Sequence, residues 1–246
     1  MEPIVITTFP GWDVNSMIVP LADGKAFVVD PAACEIGGDE NAIIDRLEAE
    51  NLSPIAIVIT HGHFDHVCGI KTLVAKYPNL PVLIHRNGAD RLGKNSVDEQ
   101  SKQLKKRPHA SFVLPAVSSL PEPAGFLEHK KTLFDAIPSA ESNFSPLVCD
   151  ALKDWQVIFT PGHSADSVCI LNEKEKVIIA GDTIFYYGYP ATDLPSGSIS
   201  RLSMTYQELE GAFGSDVRIY PGHGKVGFTT KDYPFWQYTP NFYESY

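Results

Sequence analysis

Short apolar runs separated by polar turns recur along the chain and predict a strand-rich core. Residues 16–21 and 25–30 are apolar or β-branched, and the Asp-Gly pair at 23–24 between them indicates a hairpin. The continuous apolar run at 55–59 is typical of a strand that is buried on both faces. Other predicted strands cover residues 4–8, 81–85, 155–160, 168–171, 176–180 and 217–220.

Between these runs, apolar residues recur at helical spacing. We expect Asp39 to cap one helix, and residues 67–74 to form another that ends before Pro78. Thr205 and Glu208 have the spacing of a capping box at the start of a third helix, which would run to about residue 213. Helices interspersed among strands in this way predict an α/β fold.

Residues 93–145 differ in texture, because they are rich in Lys, Ser and Pro and show weak periodicity. One helix is expected at about 96–106. Apolar runs in this segment are too short for a separate core, so we interpret it as an insertion or lid within a single domain at 1–246.

Composition narrows the classes of function. Lys and Arg number 20 and Asp and Glu number 30, so the net charge of −10 argues against a nucleic-acid binder. No run approaches the roughly 20 apolar residues of a membrane span, and the first residues do not resemble a secretory signal. The cysteines form no CxxC pair, which favours free thiols and a cytoplasmic location. They are Cys34, Cys68, Cys149 and Cys169.

The most informative segment is HGHFDH at residues 61–66, directly after a predicted buried strand. Imidazole and carboxylate groups are metal donors, and alternating side chains at the start of a loop point His61 and His63 the same way. A helix beginning there would turn Asp65 and His66 toward a second position nearby. One loop could therefore contribute to two adjacent metal sites.

Three more donors also follow predicted strands. His163 lies in TPGHS at 160–164, Asp182 in AGDT at 180–183 and His223 in PGHG at 221–224. Loops at the carboxyl ends of strands gather at one edge of a sheet, so these donors are expected to meet the HGHFDH loop. The other histidines lack this context and are interpreted as structural or surface residues: His85, His109 and His129.

This ordered set of motifs resembles the metallo-β-lactamase-fold hydrolase superfamily, and most closely its glyoxalase II-like members. The resemblance covers about residues 1–92 and 147–228. It implies an αβ/βα sandwich of two mixed β-sheets with helices on the outer faces. It also implies that Asp182 bridges two metals, the first bound by His61, His63 and His163 and the second by Asp65, His66 and His223.

The activity that this resemblance implies is metal-dependent hydrolysis. Hydroxide formed from a metal-bound water would attack the thioester, ester or lactone carbonyl of a small acyl compound, with Asp65 or Asp182 orienting the nucleophile. Two divalent ions are expected, with zinc favoured and iron or manganese also compatible. Alternatives are an iron-dependent persulfide dioxygenase, an RNA-processing nuclease, which needs a basic arm, and a non-enzymatic scaffold, which would have lost ligands. A β-lactamase is disfavoured because no export signal is seen.

The chain also departs from the family pattern. Ala191 stands where many glyoxalase II-like members have an Arg, and the helical C-terminal domain of glyoxalase II is missing after His223. A hydroxyacylglutathione substrate is therefore not favoured, and residues 93–145 are the expected source of substrate contacts. The aromatic tail at 233–246 would pack on the domain or form an interface in a homo-oligomer. Candidate pocket residues are Tyr186, Tyr187 and Tyr189.

Overall fold

Two mixed β-sheets form the centre of the computed structural model, which describes residues 2–238. The first sheet follows chain order and consists of β1 (Ile4–Thr8), β2 (Val14–Pro20), β3 (Lys25–Val29), β4 (Ser53–Val58), β5 (Val82–Ile84) and β6 (Gly125–Phe126). Strands β1 to β3 are antiparallel, as the predicted hairpin requires, and β3 to β6 are parallel.

The second sheet is formed by the later part of the chain. Its strands are β7 (Gln156–Phe159), β8 (Val168–Asn172), β9 (Val177–Gly181) and β10 (Arg218–Pro221). Their order is β10-β9-β8-β7, with β10 parallel to β9 and the other pairs antiparallel. The carboxyl ends of β9 and β10 therefore lie at the same edge of this sheet.

Within residues 2–238, helices pack on the outer faces of both sheets or against the core between them. In chain order they are α1 (Ala42–Ala49), α2 (Phe64–Val67), α3 (Ile70–Lys76), α4 (Ser96–Lys106), α5 (Leu114–Val117), α6 (Leu133–Ala136), α7 (Ala140–Asn143), α8 (Pro146–Lys153) and α9 (Ile199–Leu209). Helices α1 to α4 pack on the first sheet and α9 packs on the second. The expected αβ/βα sandwich is thus confirmed. None of these helices combines the length and the apolar character needed to cross a membrane.

The core between the sheets explains the apolar runs of the sequence. Phe27 and Val58 of the first sheet meet Val168 and Ile179 of the second, and all four are fully buried. Ile57 points the other way, toward the helices on the outer face. Both faces of β4 are therefore covered, which is why its sequence is continuously apolar rather than alternating.

The expected cap of α1 is wrong. The helix begins at Ala42, and no side chain caps it. Asp39 instead accepts hydrogen bonds from the backbone N–H groups of Phe9 (2.6 Å) and Cys34 (3.0 Å). Its carboxylate therefore ties two loops together, a tertiary role that local spacing does not reveal.

The capping box expected near residue 205 is also wrong, because α9 begins six residues earlier and ends at Leu209. Ser198 is the cap, and its Oγ accepts a hydrogen bond from the Arg201 N–H (3.3 Å). Thr205 lies inside the helix, where its hydroxyl donates to the carbonyl of Pro161 (2.6 Å). This bond fixes α9 against the Pro-Gly turn that leads to His163.

Residues 93–145 pack on the first sheet and extend it. Leu104 of α4 and Val113 are buried in the cluster on the outer face, and β6 pairs with β5 at the sheet edge. Gln100 of α4 reaches the loop after β4, where its amide donates to the carbonyl of Gly62 (3.0 Å). The segment thus places one helix directly against the HGHFDH loop.

The start of the aromatic tail packs on the domain. Tyr233 and Phe235 are buried, and the Phe235 ring lies 5.0 Å from the ring of Tyr206 in α9, measured between centroids. Phe242 and Tyr246 lie outside the described residues, so their predicted part in an interface stays a prediction.

Candidate metal centre

The loop after β4 carries four of the predicted donors. His63 is extended (φ −69°, ψ 148°), and α2 begins at the next residue, so the chain turns between the two pairs of donors as expected. All four residues are buried, with at most 8% of their surface exposed: His61, His63, Asp65 and His66. Burial of so many polar groups is costly unless each has a partner.

The remaining donors reach the same place from the second sheet. His163 follows β7, Asp182 follows β9 and His223 follows β10. An antiparallel bridge between Val14 and His223 joins the two sheets at this edge, and the Asn15 N–H donates to the carbonyl of Gly222 (2.7 Å). The strand ends of both sheets therefore converge on one site.

The predicted donors form two neighbouring groups. Potential ligand atoms lie within 4.8 Å of one another in each group, and the groups are His61, His63 and His163, and Asp65, His66 and His223. A third group with the same spacing, Asp30, His61 and His66, overlaps both. Asp182 lies between the first two groups. Its carboxylate oxygens are 3.5 Å from Nε2 of His66, 3.5 Å from Nε2 of His163 and 3.6 Å from Nε2 of His223. The structure thus brings all seven predicted residues together.

A buried carboxylate that the sequence analysis missed sets the ring tautomers of two histidines. Asp30 accepts hydrogen bonds from the Thr60 N–H (2.7 Å), the Thr60 hydroxyl (2.6 Å) and Nδ1 of His66 (3.0 Å). Because a carboxylate only accepts, Nδ1 of His66 must carry its proton. The one hydrogen of the Thr60 hydroxyl is used in its bond to Asp30, so the hydroxyl oxygen accepts a hydrogen bond from Nδ1 of His61 (3.2 Å). In its neutral form each of these two rings therefore presents a proton-free Nε2.

Backbone carbonyls fix two other rings in the same way. Nδ1 of His163 donates to the carbonyl of Ala191 (2.6 Å), and Nδ1 of His223 donates to that of Trp12 (2.9 Å). Hydrogen bonds of this kind orient histidines that bind metals through Nε2. Each ring in the neutral state then directs a lone pair into the site.

The free donor atoms fit metal binding. Nε2 of His61, His63 and His163 and Oδ1 of Asp182 are buried without a hydrogen-bond partner among the described residues. Nε2 of His66 lies 3.3 Å from Nε2 of His223, so two lone pairs face each other when both rings are neutral. A cation between such atoms removes both penalties, and imidazole with carboxylate suits zinc, iron and manganese alike.

Electrostatics divides the histidines into two kinds. Burial, together with the neighbouring histidines, holds the pKa of His61 and of His63 well below the usual range, so both are the neutral form that binds metals. Burial also lowers the pKa of His66, but three carboxylates led by Asp182 outweigh it and hold that pKa well above its ordinary value. Burial raises the pKa of Asp182, and the surrounding histidines more than reverse this, so it is ionised.

A second group of residues missed by the sequence analysis supports the loop from behind. The Gly62 N–H donates to Asp166 (2.7 Å), which is fully buried and lies 3.4 Å from the guanidinium of Arg91. The Phe64 N–H donates to the amide oxygen of Gln103 in α4 (3.3 Å). These bonds hold the backbone that carries the donors.

The donors open into a cavity of about 320 Å³, within the size range of small-molecule sites. Trp12, Phe64, Phe185 and Leu194 supply apolar walls, and Arg107 contributes a guanidinium. The predicted pocket tyrosines do not line this cavity. Tyr186 and Tyr187 line an adjoining cavity of about 350 Å³, and Tyr189 is 48% exposed.

The remaining histidines lie outside this cluster, as expected. His85 stacks on Phe159 with ring centroids 4.3 Å apart, and His129 accepts a hydrogen bond from the Phe159 N–H (3.2 Å). His109 stacks on the indole of Trp12 at 5.8 Å. His109 thus supports a wall of the cavity from its outer side.

Gly222 leaves no room for a side chain beside the donors. A Cβ there would lie 2.3 Å from Oδ1 of Asp182 and 2.7 Å from Cε1 of His66. We expect Gly222→Ala to displace both donors, to lower metal content and to destabilise the fold by about 1–3 kcal/mol. Elemental analysis and thermal unfolding measure the two effects. Gly214→Ala is the control, since its Cβ would first meet the carboxylate tip of Asp216. Unchanged metal content in Gly222→Ala would refute this reading of the site.

Comparisons with known proteins agree with this geometry. Residues 10–224 match the model of the Metallo-beta-lactamase superfamily. The chain is 30% identical over 222 residues to a probable metallo-hydrolase of Methanocaldococcus jannaschii, covering 88% of this chain and 90% of that protein. It is 23% identical over 239 residues to a hydroxyacylglutathione hydrolase of Haemophilus influenzae, covering 96% and 97%.

A solved structure described as BLEG-1 B3 metallo-beta-lactamase superimposes with a TM-score of 0.73 at 25% identity, covering 94% of this chain and 95% of that one. The sandwich, the clustered His and Asp donors and the family match over most of the sequence lead to one conclusion. This chain belongs to the metallo-β-lactamase superfamily.

Proposed function

We propose that the protein is a metal-dependent hydrolase that cleaves a thioester, ester or lactone of a small acyl compound. The observation that carries the proposal is a set of buried donor atoms without a hydrogen-bond partner among the described residues, namely Nε2 of His61, His63 and His163 and Oδ1 of Asp182. His63, His163 and Asp182 of this set line the cavity. Unsatisfied polar groups at such depth are rare in stable folds unless a ligand or ion completes them. Two divalent ions, with zinc first, are the proposed cofactors.

The chain offers three donors to each ion and one carboxylate between them. Ions held there would supply a water of lowered pKa and a Lewis acid for the substrate carbonyl. In this proposal His61, His63 and His163 would hold one ion, Asp65, His66 and His223 would hold the other, and Asp182 would offer its carboxylate to both.

The residues around the donors have distinct tasks in the reaction. Asp65 and Asp182 face the cavity, and their carboxylate oxygens can orient the attacking nucleophile by accepting hydrogen bonds from it. Trp12, Phe64 and Phe185 form walls that exclude water and accept the apolar part of an acyl group. The described lining residues include no Ser or Cys, and the proposed reaction needs neither as a nucleophile.

Thioesters of glutathione belong among the substrates to be tested, although the sequence does not favour them. The Haemophilus relative is described as a hydroxyacylglutathione hydrolase, and the match covers 96% of this chain and 97% of that relative. This likeness is the reason to include them in a panel of substrates.

Two alternative functions have different requirements. A persulfide dioxygenase needs one iron and consumes oxygen, whereas an RNA-processing nuclease needs a basic surface, which a net charge of −10 does not favour.

The four cysteines are buried and unpaired, which supports the proposed cytoplasmic location.

Metal removal tests the proposed function directly. We expect chelation to abolish thioester hydrolysis and to lower the melting temperature, because bound ions stabilise only the folded state. Zinc, iron or manganese should restore both, measured with a panel of hydroxyacylglutathione, simple thioesters and lactones. Full hydrolysis in the metal-free protein would contradict the proposal. Oxygen uptake with glutathione persulfide, without hydrolysis of any panel member, would favour the dioxygenase instead.

A further inference from the structure

The cavity at the candidate metal centre has one side chain with a permanent positive charge among its described lining residues. That side chain is Arg107, which follows α4 and is 29% exposed at the rim. Its neighbours along the wall include Trp12 and Leu194, which are apolar. A lone cation in an apolar wall points to recognition of an anionic group on the ligand.

The current partner of Arg107 is easily replaced. Nη1 and Nη2 each donate to a carboxylate oxygen of Asp193, both at 3.1 Å. The side chain of Asp193 is 63% exposed, and exposed ion pairs contribute little net stability. A carboxylate of a bound ligand could therefore take over this two-pronged contact.

Arg107 faces the loop after Asp182 across the rim of the cavity. Ala191 and Leu194 of that loop line the cavity, and the carbonyl of Ala191 accepts a hydrogen bond from Nδ1 of His163 (2.6 Å). Arg107 arrives at the same loop from residues 93–145, through its contact with Asp193. A guanidinium is thus supplied to the rim by a different part of the chain.

We propose that Arg107 selects acyl substrates that carry a carboxylate in addition to the scissile acyl group. Asp193 holds the guanidinium of Arg107 in place until such a substrate binds. This inference rests on the hydrolase function proposed above. It makes Asp193 a competitor of the substrate, so removal of the two side chains has opposite consequences. A purely structural ion pair would instead give the same consequence from either side.

Two matched pairs of substrates test the proposal. The N-acetylcysteamine thioesters of succinate and of 4-methylpentanoate place the charge on the acyl arm, and the butyryl thioesters of 3-mercaptopropionate and of its amide place it on the thiol arm. In at least one pair, we expect Arg107→Ala to raise KM for the charged member about tenfold and for the neutral member less than about twofold. Asp193→Asn should lower KM for the same charged member, and Arg107→Lys should restore part of the loss.

Arg46→Ala is the control, because Arg46 also pairs with an exposed carboxylate, that of Glu50, on α1. The proposal is overturned if Arg107→Ala affects charged and neutral members equally, or if Asp193→Asn raises KM as Arg107→Ala does. Calorimetric titration with succinate and 4-methylpentanoate separates this result from a failure of the hydrolase function. If no thioester is cleaved, the hydrolase function fails, while equal affinity of wild type and Arg107→Ala for succinate would still refute the role of Arg107.

Discussion

Asp182→Asn is expected to lower kcat/KM for acyl substrates by at least about a thousandfold. The reason is that loss of this carboxylate should also remove the metals on which the reaction depends. Asparagine keeps the size of the side chain but removes the negative charge that faces Nε2 of His66, His163 and His223. One of the two oxygens also becomes an NH₂ group, which cannot bind a metal. Elemental analysis should show a loss of bound metal in parallel with the loss of turnover.

His63→Ala tests the first group of donors in the same experiment. Nε2 of His63 has no other described partner, so its removal should leave folding intact while metal content and turnover fall. Asp150→Asn is the matched control for Asp182→Asn, since Asp150 is exposed on α8 and pairs with Lys153. A wild-type rate in either Asp182→Asn or His63→Ala would show that the proposed mechanism is wrong.

Asp30→Asn is expected to weaken metal binding by about 10- to 100-fold, the usual cost of losing a carboxylate behind a metal-bound histidine. The amide would present its NH₂ group either to the Thr60 N–H or to the Thr60 hydroxyl together with Nδ1 of His66, because those two share one oxygen of Asp30. Where it faces His66, Nδ1 becomes the acceptor and the ring proton moves to Nε2, the atom proposed to bind metal. Titration against a competing chelator measures the change in affinity.

A matched variant separates orientation of His66 from general loss of stability. Asp39 also accepts two backbone hydrogen bonds, but it joins loops away from the donors. Asp39→Asn should therefore lower the melting temperature and leave metal affinity unchanged. The role assigned to Asp30 would be refuted if the two variants lost stability alike and both retained wild-type affinity for metal.

The sequence could indicate which seven residues meet at the candidate metal centre because each follows a strand within a short, recognisable motif. Each strand, tight turn and candidate donor are neighbours in sequence. The strand ends meet at one edge of the sandwich, so the fold brings the seven side chains together there. The same rule could have found Asp30, since it ends the predicted strand at 25–30. Its importance became visible only when β4, parallel to β3, placed Thr60 beside it.

Other features could not be predicted because tertiary contacts decide them. Gln100 and Gln103 lie about forty residues from the loop they support, and nothing in a polar helix indicates that its amides face a buried loop. Local spacing misplaced the start of α9 at Thr205, whose hydroxyl is used by a distant carbonyl. Arg107 reaches Asp193 across 86 positions in sequence, a pairing that only the fold reveals.

Anomalous scattering from crystals of metal-loaded protein tests the central claim most directly. We expect about two anomalous peaks per chain, one among His61, His63 and His163 and one among Asp65, His66 and His223, with Asp182 between them. The same crystals without peaks at these positions, and with the imidazoles bonded to one another or to water alone, would contradict it.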